Sequence, residues 1–324
     1  MDEVETPKKK KKNFKIIITM IIAIVIVIGI YFIFFNNKNI EKPLTIINTQ
    51  NLIYNFSGNK FSYSQDRGYI DYKMTQQSDN NTFTIYNISF YSRDFLNFST
   101  KIYGLLLMPK NKTNVPGIVY LPGGGVSKEK VLTVTSLMAR EGYAVLIIDQ
   151  RGIGETGGYY LSFEDDYAVF SQGKEPIQHL SVYDVLATSD VLREMNNVDK
   201  DNIAIAGESM GARYAIIAAA IDKRFKGVLG ISVSGFNIVD DHSNEAKYLL
   251  SIDPDNYIAD ISPNYVIMMH GGNDTTVPLN ESKNTYGKAL EPKKFYFYKK
   301  CRHGYCPDMD NDIKSSLKLI LNKS

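Results

Sequence analysis

The chain has 324 residues and a formal net charge of +2 at pH 7, with 37 Lys and Arg against 35 Asp and Glu. Much of the positive charge lies in the run 8–12, so the remainder is close to neutral, which argues against the basic surface that nucleic-acid binding requires. Hydrophobic residues make up 44% and charged residues 22%, as in ordinary globular proteins, and the length suits one sizeable catalytic domain with appendages.

The N-terminal segment predicts a membrane anchor. Residues 16–35 are almost continuously apolar, with Thr19 as their only polar residue, and are about as long as a bilayer-crossing helix. Six lysines between positions 8 and 15 precede them, and only Lys38 and Lys42 follow closely, so the positive-inside rule places the N-terminus in the cytoplasm. A cleaved signal peptide is the alternative, but the region is long for one and lacks a small-x-small cleavage site.

We therefore predict a basic cytoplasmic tail over residues 1–15 and a single-pass signal anchor over 16–35, a transmembrane helix in the cell membrane that leaves the catalytic part outside. Residues 36–80 are polar, Asn-rich and weakly periodic, which predicts a stalk and a small N-terminal extension before a catalytic domain over 81–324. Glycan-acceptor triplets fit an exported protein, although an Asn-rich sequence also produces them by chance. They begin at Asn55, Asn80, Asn87, Asn97 and Asn111.

From residue 83 onward the pattern changes to regular strands and helices. Two extended runs, 84–91 and 101–109, predict an antiparallel pair. Apolar strand-like runs then alternate with helical periodicity, which is typical of an α/β fold with a mostly parallel sheet and helices on both faces. The predicted strands are 117–121, 143–149, 202–207, 227–233, 265–270 and 294–298. The predicted helices are 128–141, 182–195, 210–221, 245–250, 282–290 and 308–321.

Ser209 is the candidate nucleophile. It is central in Gly207-Glu208-Ser209-Met210-Gly211, which joins a predicted strand to a predicted helix, the context of a G-x-S-x-G nucleophile elbow. The tight turn needs glycine at 207 and 211 and holds the Ser209 hydroxyl at a helix N-terminus, where the dipole favours developing negative charge. The alternative is that Ser209 only caps the helix.

Asp274 is the candidate acid, because the acid should follow a strand that comes after the nucleophile in the chain. It lies in the glycine-rich segment after strand 265–270. A turn or capping role is the alternative for Asp274. Asp260 and Asp241 are weaker candidates for the acid, since both belong to the long connection before that strand.

His303 is the candidate base, because among the four histidines it lies beyond the last predicted strand. His270 ends a strand and is interpreted as a buried residue that orders a loop, whereas His179 and His242 both precede the acid. In this scheme His303 deprotonates Ser209, Asp274 fixes the tautomer, and an acyl-enzyme forms and is hydrolysed.

Two backbone N–H groups are needed to bind the tetrahedral oxyanion, one of them on the residue after the nucleophile. Met210 supplies the first. The second is expected from the glycine turn after strand 117–121, with Gly124 preferred and Gly125 close behind. A simple strand-ending turn is the alternative.

Cys301 and Cys306 flank the candidate base. In an oxidising exterior a disulfide between them would close a small loop around His303, and two reduced thiols are the alternative. Metal binding is not expected, because only His303 lies between them and no second ligand pair is evident.

From about residue 83 to the C-terminus the chain resembles the α/β-hydrolase superfamily, and within it the dienelactone hydrolase, acetyl xylan esterase and prolyl oligopeptidase-type catalytic domains. One departure concerns Pro122-Gly123, where relatives often have His-Gly, and it bears on the second oxyanion donor. The resemblance implies an α/β-hydrolase fold and ester, thioester or amide hydrolysis without metal or organic cofactor. It rests on Leu121-Pro122-Gly123-Gly124-Gly125, Asp149-Gln150-Arg151-Gly152-Ile153-Gly154, Gly207 to Gly211, His270-Gly271-Gly272-Asn273-Asp274-Thr275-Thr276-Val277-Pro278 and His303-Gly304-Tyr305.

The sequence favours an esterase for small or medium acyl groups, because 36–80 is too short for the propeller that usually restricts oligopeptidase sites. A serine exopeptidase acting on short peptides is the alternative, and a catalytically silent surface binding module is a third. Specificity is expected from segments 159–167 and 234–262, which should overhang the C-terminal strand ends. In the first, Glu164, Asp165 and Asp166 would either bind a substrate amine or form a solvated loop.

Overall fold

A computed structural model describes residues 54–94 and 99–321 of the chain. The predicted membrane span, the basic tail and residues 36–53 of the predicted stalk and extension lie outside these residues. None of the helices within the described ranges combines the length and the apolar character that a bilayer crossing requires.

The strands of the described ranges follow one another closely in the N-terminal third and alternate with helices afterwards. They are β1 Tyr54–Ser57, β2 Lys60–Tyr63, β3 Tyr72–Asp79, β4 Phe83–Arg93, β5 Ser99–Pro109, β6 Val115–Leu121, β7 Ala144–Ile148, β8 Val198–Glu208, β9 Phe225–Ile231, β10 Tyr265–Gly271 and β11 Lys293–Tyr298. The α-helices are α1 Leu132–Arg140, α2 Phe163–Ser171, α3 Ile177–Arg193, α4 Met210–Ile221, α5 Asn244–Ser251, α6 Leu279–Lys288 and α7 Asp310–Ile320.

Nine of these strands form one sheet, in the order β11-β10-β9-β8-β6-β7-β5-β4-β3. The six strands from β11 to β7 in this order are parallel to one another. Beyond β7, strands β5, β4 and β3 continue the sheet with antiparallel pairing. The prediction of a mostly parallel sheet preceded by an antiparallel pair is confirmed. Strand β8, which leads to Ser209, is central, so its C-terminal end lies between the loops of its neighbours.

Helices cover both faces of the sheet, and strand β6 shows this because its side chains are apolar on both sides. Val119 and Leu121 point into a core that α3 and α4 complete, while Ile118 and Tyr120 point into a second core shared with α1 and α7. Successive side chains of a strand alternate between faces, so an unbroken apolar run is what a strand buried on both sides requires.

Some element bounds differ from those predicted. The predicted helix 128–141 begins as a 3₁₀ turn, Lys128–Val131, before α1, and the predicted helix 282–290 lies earlier, as α6, after Pro278. Segment 159–167, for which no helix was predicted, contains the start of α2, where the Ser162 side chain accepts a hydrogen bond from the Asp165 amide. That Ser-x-x-Asp pattern is a helix-start signal that the sequence carried.

The start of the catalytic domain differs more from the prediction, because the described residues before position 81 are built into the fold. β3 is the edge strand of the main sheet, and the hairpin β1–β2 inserts Phe61 and Tyr63 into the α3–α4 core. Phe61 stacks on the ring of His179 with a centroid separation of 3.9 Å. Within the segment predicted as a stalk and small N-terminal extension, the residues from 54 onward therefore pack as part of the domain, which begins earlier than the predicted boundary at 81.

A buried charged cluster fastens the same segment to the ends of two helices. Arg67 donates to Asp190 at 2.6 and 3.0 Å and to Asp222 at 2.8 Å. Arg224 donates to the same two carboxylates. Burial alone would raise the pKa of Asp222, but hydrogen bonds from Arg224 and Arg67 outweigh it and hold that pKa below its usual value.

Candidate functional site

Ser209 occupies a strained turn between β8 and α4. Its φ is 51° and its ψ −120°, a left-handed backbone conformation that non-glycine residues rarely adopt. The turn is closed by glycines, since a Cβ on Gly207 would lie 2.7 Å from the Gly211 carbonyl carbon, and one on Gly211 would lie 2.3 Å from the Leu121 carbonyl oxygen. Ser209 precedes α4, but its side chain makes no capping hydrogen bond, so the capping alternative has no support in this geometry.

Asp274 and His303 meet at the C-terminal edge of the sheet. His303 Nδ1 lies 3.0 and 2.9 Å from the two carboxylate oxygens of Asp274, whose side chain is fully buried while that of His303 is 29% exposed. The amides of Thr276 and Val277 each donate to Asp274 Oδ1 at 2.9 Å.

The charge on Asp274 is well supported. Burial raises the pKa of this carboxyl, but the amides of Val277 and Thr276, His303 and the Ser232 hydroxyl outweigh burial, so the pKa lies below its usual value. Asp274 is therefore a carboxylate at neutral pH.

Of the other three histidines, two are buried and one lies on the surface. His179 is buried, and its Nδ1 lies 2.9 Å from the Tyr54 hydroxyl. His270 is also buried, with Nε2 3.1 Å from the Val277 carbonyl oxygen, so it orders the loop that carries Asp274, as predicted. Burial lowers the pKa of both. His242 is almost fully exposed.

The two weaker acid candidates lie in other surroundings. Asp260 pairs with Lys60 at 2.6 Å on the surface, and Asp241 accepts from the Ser243 amide at 2.9 Å. Neither makes a hydrogen bond to His303 among the described residues, and Asp274 remains the acid that contacts it.

The glycine turn after β6 lies beside the nucleophile. A Cβ on Gly123 would lie 3.6 Å from Ser209 Cβ, and one on Gly124 would lie 3.3 Å from Met210 Cε. Gly125 has a φ of 71°. The turn thus brings Gly124 against the residue whose amide is the first predicted oxyanion donor, an arrangement that a side chain at 124 would crowd.

Two further residues hold this turn, and neither role was predicted from the sequence. The buried Gln150 donates from Nε2 to the Pro122 carbonyl oxygen at 2.6 Å. Asp149 accepts from the Lys128 amide and ammonium at 2.7 Å each. The motif that begins at Asp149 therefore holds the residues before and after the glycine turn. Pro122 contributes through its carbonyl oxygen, which accepts the Gln150 hydrogen bond.

The loop between β11 and α7, residues 299–306, carries His303, and we name it the histidine loop. Cys301 and Cys306 form a disulfide within it, with 6.0 Å between their Cα atoms. Asp308 lies within 4.8 Å of both sulfurs, but a disulfide leaves neither thiolate free to bind a cation. An open depression next to the disulfide is lined by Asn273, Thr275, Arg302 and His303.

The acidic residues of segment 159–167 do not act together. Asp166 is fully buried and accepts hydrogen bonds from the amides of Ile177 and Gln178 at the start of α3. Of the three acidic residues, Glu164 and Asp165 are exposed. The predicted amine site therefore loses one of its three carboxylates to helix capping.

A family model and curated relatives resemble this chain. The model of the dienelactone hydrolase family matches residues 102–317, about two thirds of the chain. The uncharacterized protein YfhR of Escherichia coli strain K12 is 23% identical over 193 residues, which cover 55% of this chain and 59% of YfhR. The chain thus spans about three fifths of the length of the curated relatives it matches first.

Solved structures share the fold. Acetyl xylan esterase from Paenibacillus sp. R4 superposes with a TM-score of 0.64 at 18% identity, over 79% of this chain and 90% of that one. Acetyl xylan esterase 1 from Thermoanaerobacterium sp. JW/SL YS485 has a TM-score of 0.61 at 16% identity, over 78% and 89% of the two chains. The α/β-hydrolase fold is thereby shown.

Proposed function

Because the chain belongs to the dienelactone hydrolase family, we propose that it is a serine hydrolase that cleaves carboxylic esters of small or medium acyl groups. The observation that carries the proposal is the contact of His303 Nδ1 with both carboxylate oxygens of Asp274. The loop that carries His303 is also hydrogen-bonded to Glu208, the residue before Ser209. A buried carboxylate, an oriented imidazole and a serine on a strained elbow are the parts that acyl transfer needs.

The proposed reaction runs through an acyl-enzyme. The Asp274 carboxylate keeps the proton on His303 Nδ1, so Nε2 accepts the proton of Ser209 as its hydroxyl attacks the ester carbonyl. The Met210 amide and the Gly124 amide, or that of Gly125, donate to the oxyanion. His303 then protonates the leaving alcohol, and water repeats the sequence to release the acid. No metal or organic cofactor takes part in this route.

Two findings favour an ester substrate over a peptide. The two structural neighbours described above are named acetyl xylan esterases, which favours small acyl groups. An exopeptidase needs a group that binds the substrate amine, and Asp166 is already committed to α3. The exopeptidase and the silent binding module are therefore outcomes of the test below rather than parallel proposals.

We further propose that the enzyme is held at the cell membrane by residues 16–35, with residues 1–15 in the cytoplasm and the catalytic domain outside. The apolar segment and the lysines before it support this orientation. The Cys301–Cys306 disulfide agrees with it, because disulfides persist in oxidising compartments and are rare in the cytosol.

The test is hydrolysis by cells that express the full chain, with cells expressing Ser209→Ala as the blank. The substrates are p-nitrophenyl esters of short and medium acyl chains, aminoacyl p-nitroanilides, and one sulfonated ester that does not cross a bilayer. We expect Ser209-dependent turnover of the esters but not of the anilides, and equal turnover of the sulfonated ester before and after permeabilisation.

Ser209-dependent anilide cleavage would instead identify an exopeptidase, and no turnover of either class would favour a binding module or a narrow specificity. Hydrolysis of the sulfonated ester only after permeabilisation would contradict the proposed orientation.

A further inference from the structure

The carboxylate of Glu208 joins the end of β8 to the histidine loop. Tyr120 donates its hydroxyl to Glu208 Oε1 at 2.5 Å, and the Tyr305 amide donates to Oε2 at 2.9 Å. Glu208 immediately precedes Ser209, and Tyr305 follows His303 by two residues. One carboxylate thus links the backbone at the nucleophile to the backbone at the base.

Gly304 leaves room for this link. Its φ is 84°, and a Cβ at this position would lie 2.8 Å from Glu208 Oε2. The Gly304 amide donates to Ser232 Oγ at 2.9 Å, directly before the Tyr305 amide donates to Glu208. Two consecutive amides of the histidine loop are therefore held by side chains at the ends of β8 and β9.

The partners suit a carboxylate. Hydrogen bonds from neutral donors to a charged acceptor are stronger than neutral ones. Burial raises the pKa of the Tyr120 phenol well above its usual value, and the Glu208 charge raises it further, so the phenol keeps its proton and remains a donor. Both Glu208 oxygens therefore accept hydrogen bonds from groups that keep their proton at neutral pH, namely the Tyr120 hydroxyl and the Tyr305 amide.

We propose that Glu208 is a positioning residue that holds the Tyr305 amide and thereby keeps His303 in register with Ser209. This inference rests on the proposed function, because the register matters for turnover only where His303 takes the Ser209 proton. A displacement of about 1 Å at a reacting group can lower the rate by about 100-fold. The disulfide limits the shape of the histidine loop, and Glu208 fixes its position relative to the nucleophile.

The test compares Glu208→Ala and Glu208→Gln in the full chain. We expect Glu208→Ala to lower kcat by about 10- to 100-fold with KM within about 3-fold, since the base is displaced while substrate contacts remain. Glu208→Gln should restore kcat to within about 3-fold of wild type, because its amide oxygen still accepts from Tyr305 and its NH₂ can donate to the Tyr120 hydroxyl.

A matched control is Tyr298→Phe, which removes a phenol–carboxylate hydrogen bond of 2.7 Å to Asp312 in the first turn of α7 and leaves the Glu208 link untouched. It should lower thermal stability and leave kcat within about 2-fold. The proposal is overturned if Glu208→Ala keeps wild-type kcat, or if Tyr298→Phe lowers kcat as much as Glu208→Ala does. It is also overturned if Glu208→Gln is as impaired as Glu208→Ala, because the effect would then come from the charge of Glu208 and not from its hydrogen bonds.

Amide hydrogen exchange separates this inference from the proposed function. Exchange at the Tyr305 amide should be at least about 10-fold faster in Glu208→Ala and near wild type in Glu208→Gln, whether or not any ester is hydrolysed. This pattern in an inactive wild type would refute the proposed function and leave the link standing. Unchanged exchange in Glu208→Ala would refute the link even in an active enzyme.

Discussion

Asp274→Asn is expected to lower kcat for ester hydrolysis by about 10⁴ while the fold stays intact. The asparagine oxygen can take the place of Oδ1, which receives the Thr276 and Val277 amides, so its NH₂ group would face His303. That group donates to Nδ1 and forces the imidazole proton onto Nε2, where it prevents His303 from accepting the Ser209 proton. The measurement is steady-state hydrolysis of a p-nitrophenyl ester together with thermal unfolding.

The control for this substitution is Asp260→Asn, which alters a surface acid that the sequence offered as an alternative. It should leave kcat within about 2-fold, because Asp260 faces Lys60 and not the site. An Asp274→Asn enzyme that kept more than a tenth of wild-type kcat would contradict the assignment of Asp274 as the partner of the base.

Arg67→Met is expected to lower the free energy of unfolding by about 3 kcal/mol, since removing one member of a buried ion-pair cluster leaves its partners under-neutralised. Asp222 is fully buried and Asp190 nearly so, and the ion pairs that would remain to these two carboxylates are those of Arg224, which is itself partly exposed. Urea unfolding measures the effect as a lower midpoint at unchanged slope.

Lys60→Met serves as the comparison, because Lys60 forms a solvent-exposed pair with Asp260 in the same N-terminal segment. Its cost should stay within about 1 kcal/mol. If both substitutions cost the same small amount, the Arg67 cluster does not fasten this segment to the domain, and the account of residues 54–80 as an integral part of the fold would be wrong.

The sequence predicted the central elements well because their signals are local. The helix 210–221 has the bounds observed for α4, and the apolar runs before it and after it became neighbouring parallel strands. Ser209 could be proposed as the nucleophile because a strained elbow needs glycine on both sides within five residues. Asp274 and His303 could be proposed as acid and base because chain order and strand ends restrict where such groups can lie, and the two side chains do meet in the structure.

The links between loops could not be predicted in this way. Glu208 and Tyr305 are 97 positions apart, and Gln150 reaches Pro122 across 28. Each of these residues is locally unremarkable as a polar side chain at a strand end. Their hydrogen bonds exist only because the sheet order places the strand ends side by side, which is a property of the assembled fold.

The early boundary was missed for a different reason. β3 is exposed along almost its whole length, so it shows none of the alternation that marks a half-buried strand. An edge strand with polar side chains is what a sheet needs to avoid pairing with other chains, and that requirement removes the sequence signal.

The most direct test of the central claim is to identify the acylated residue. The full-length protein is incubated briefly with p-nitrophenyl acetate, quenched in acid and analysed by peptide mass spectrometry. We predict an acetyl group on Ser209 that accumulates before steady state and disappears as the ester is consumed. Hydrolysis at the same rate with no acetylated Ser209, or with the acetyl group on another residue, would contradict the account.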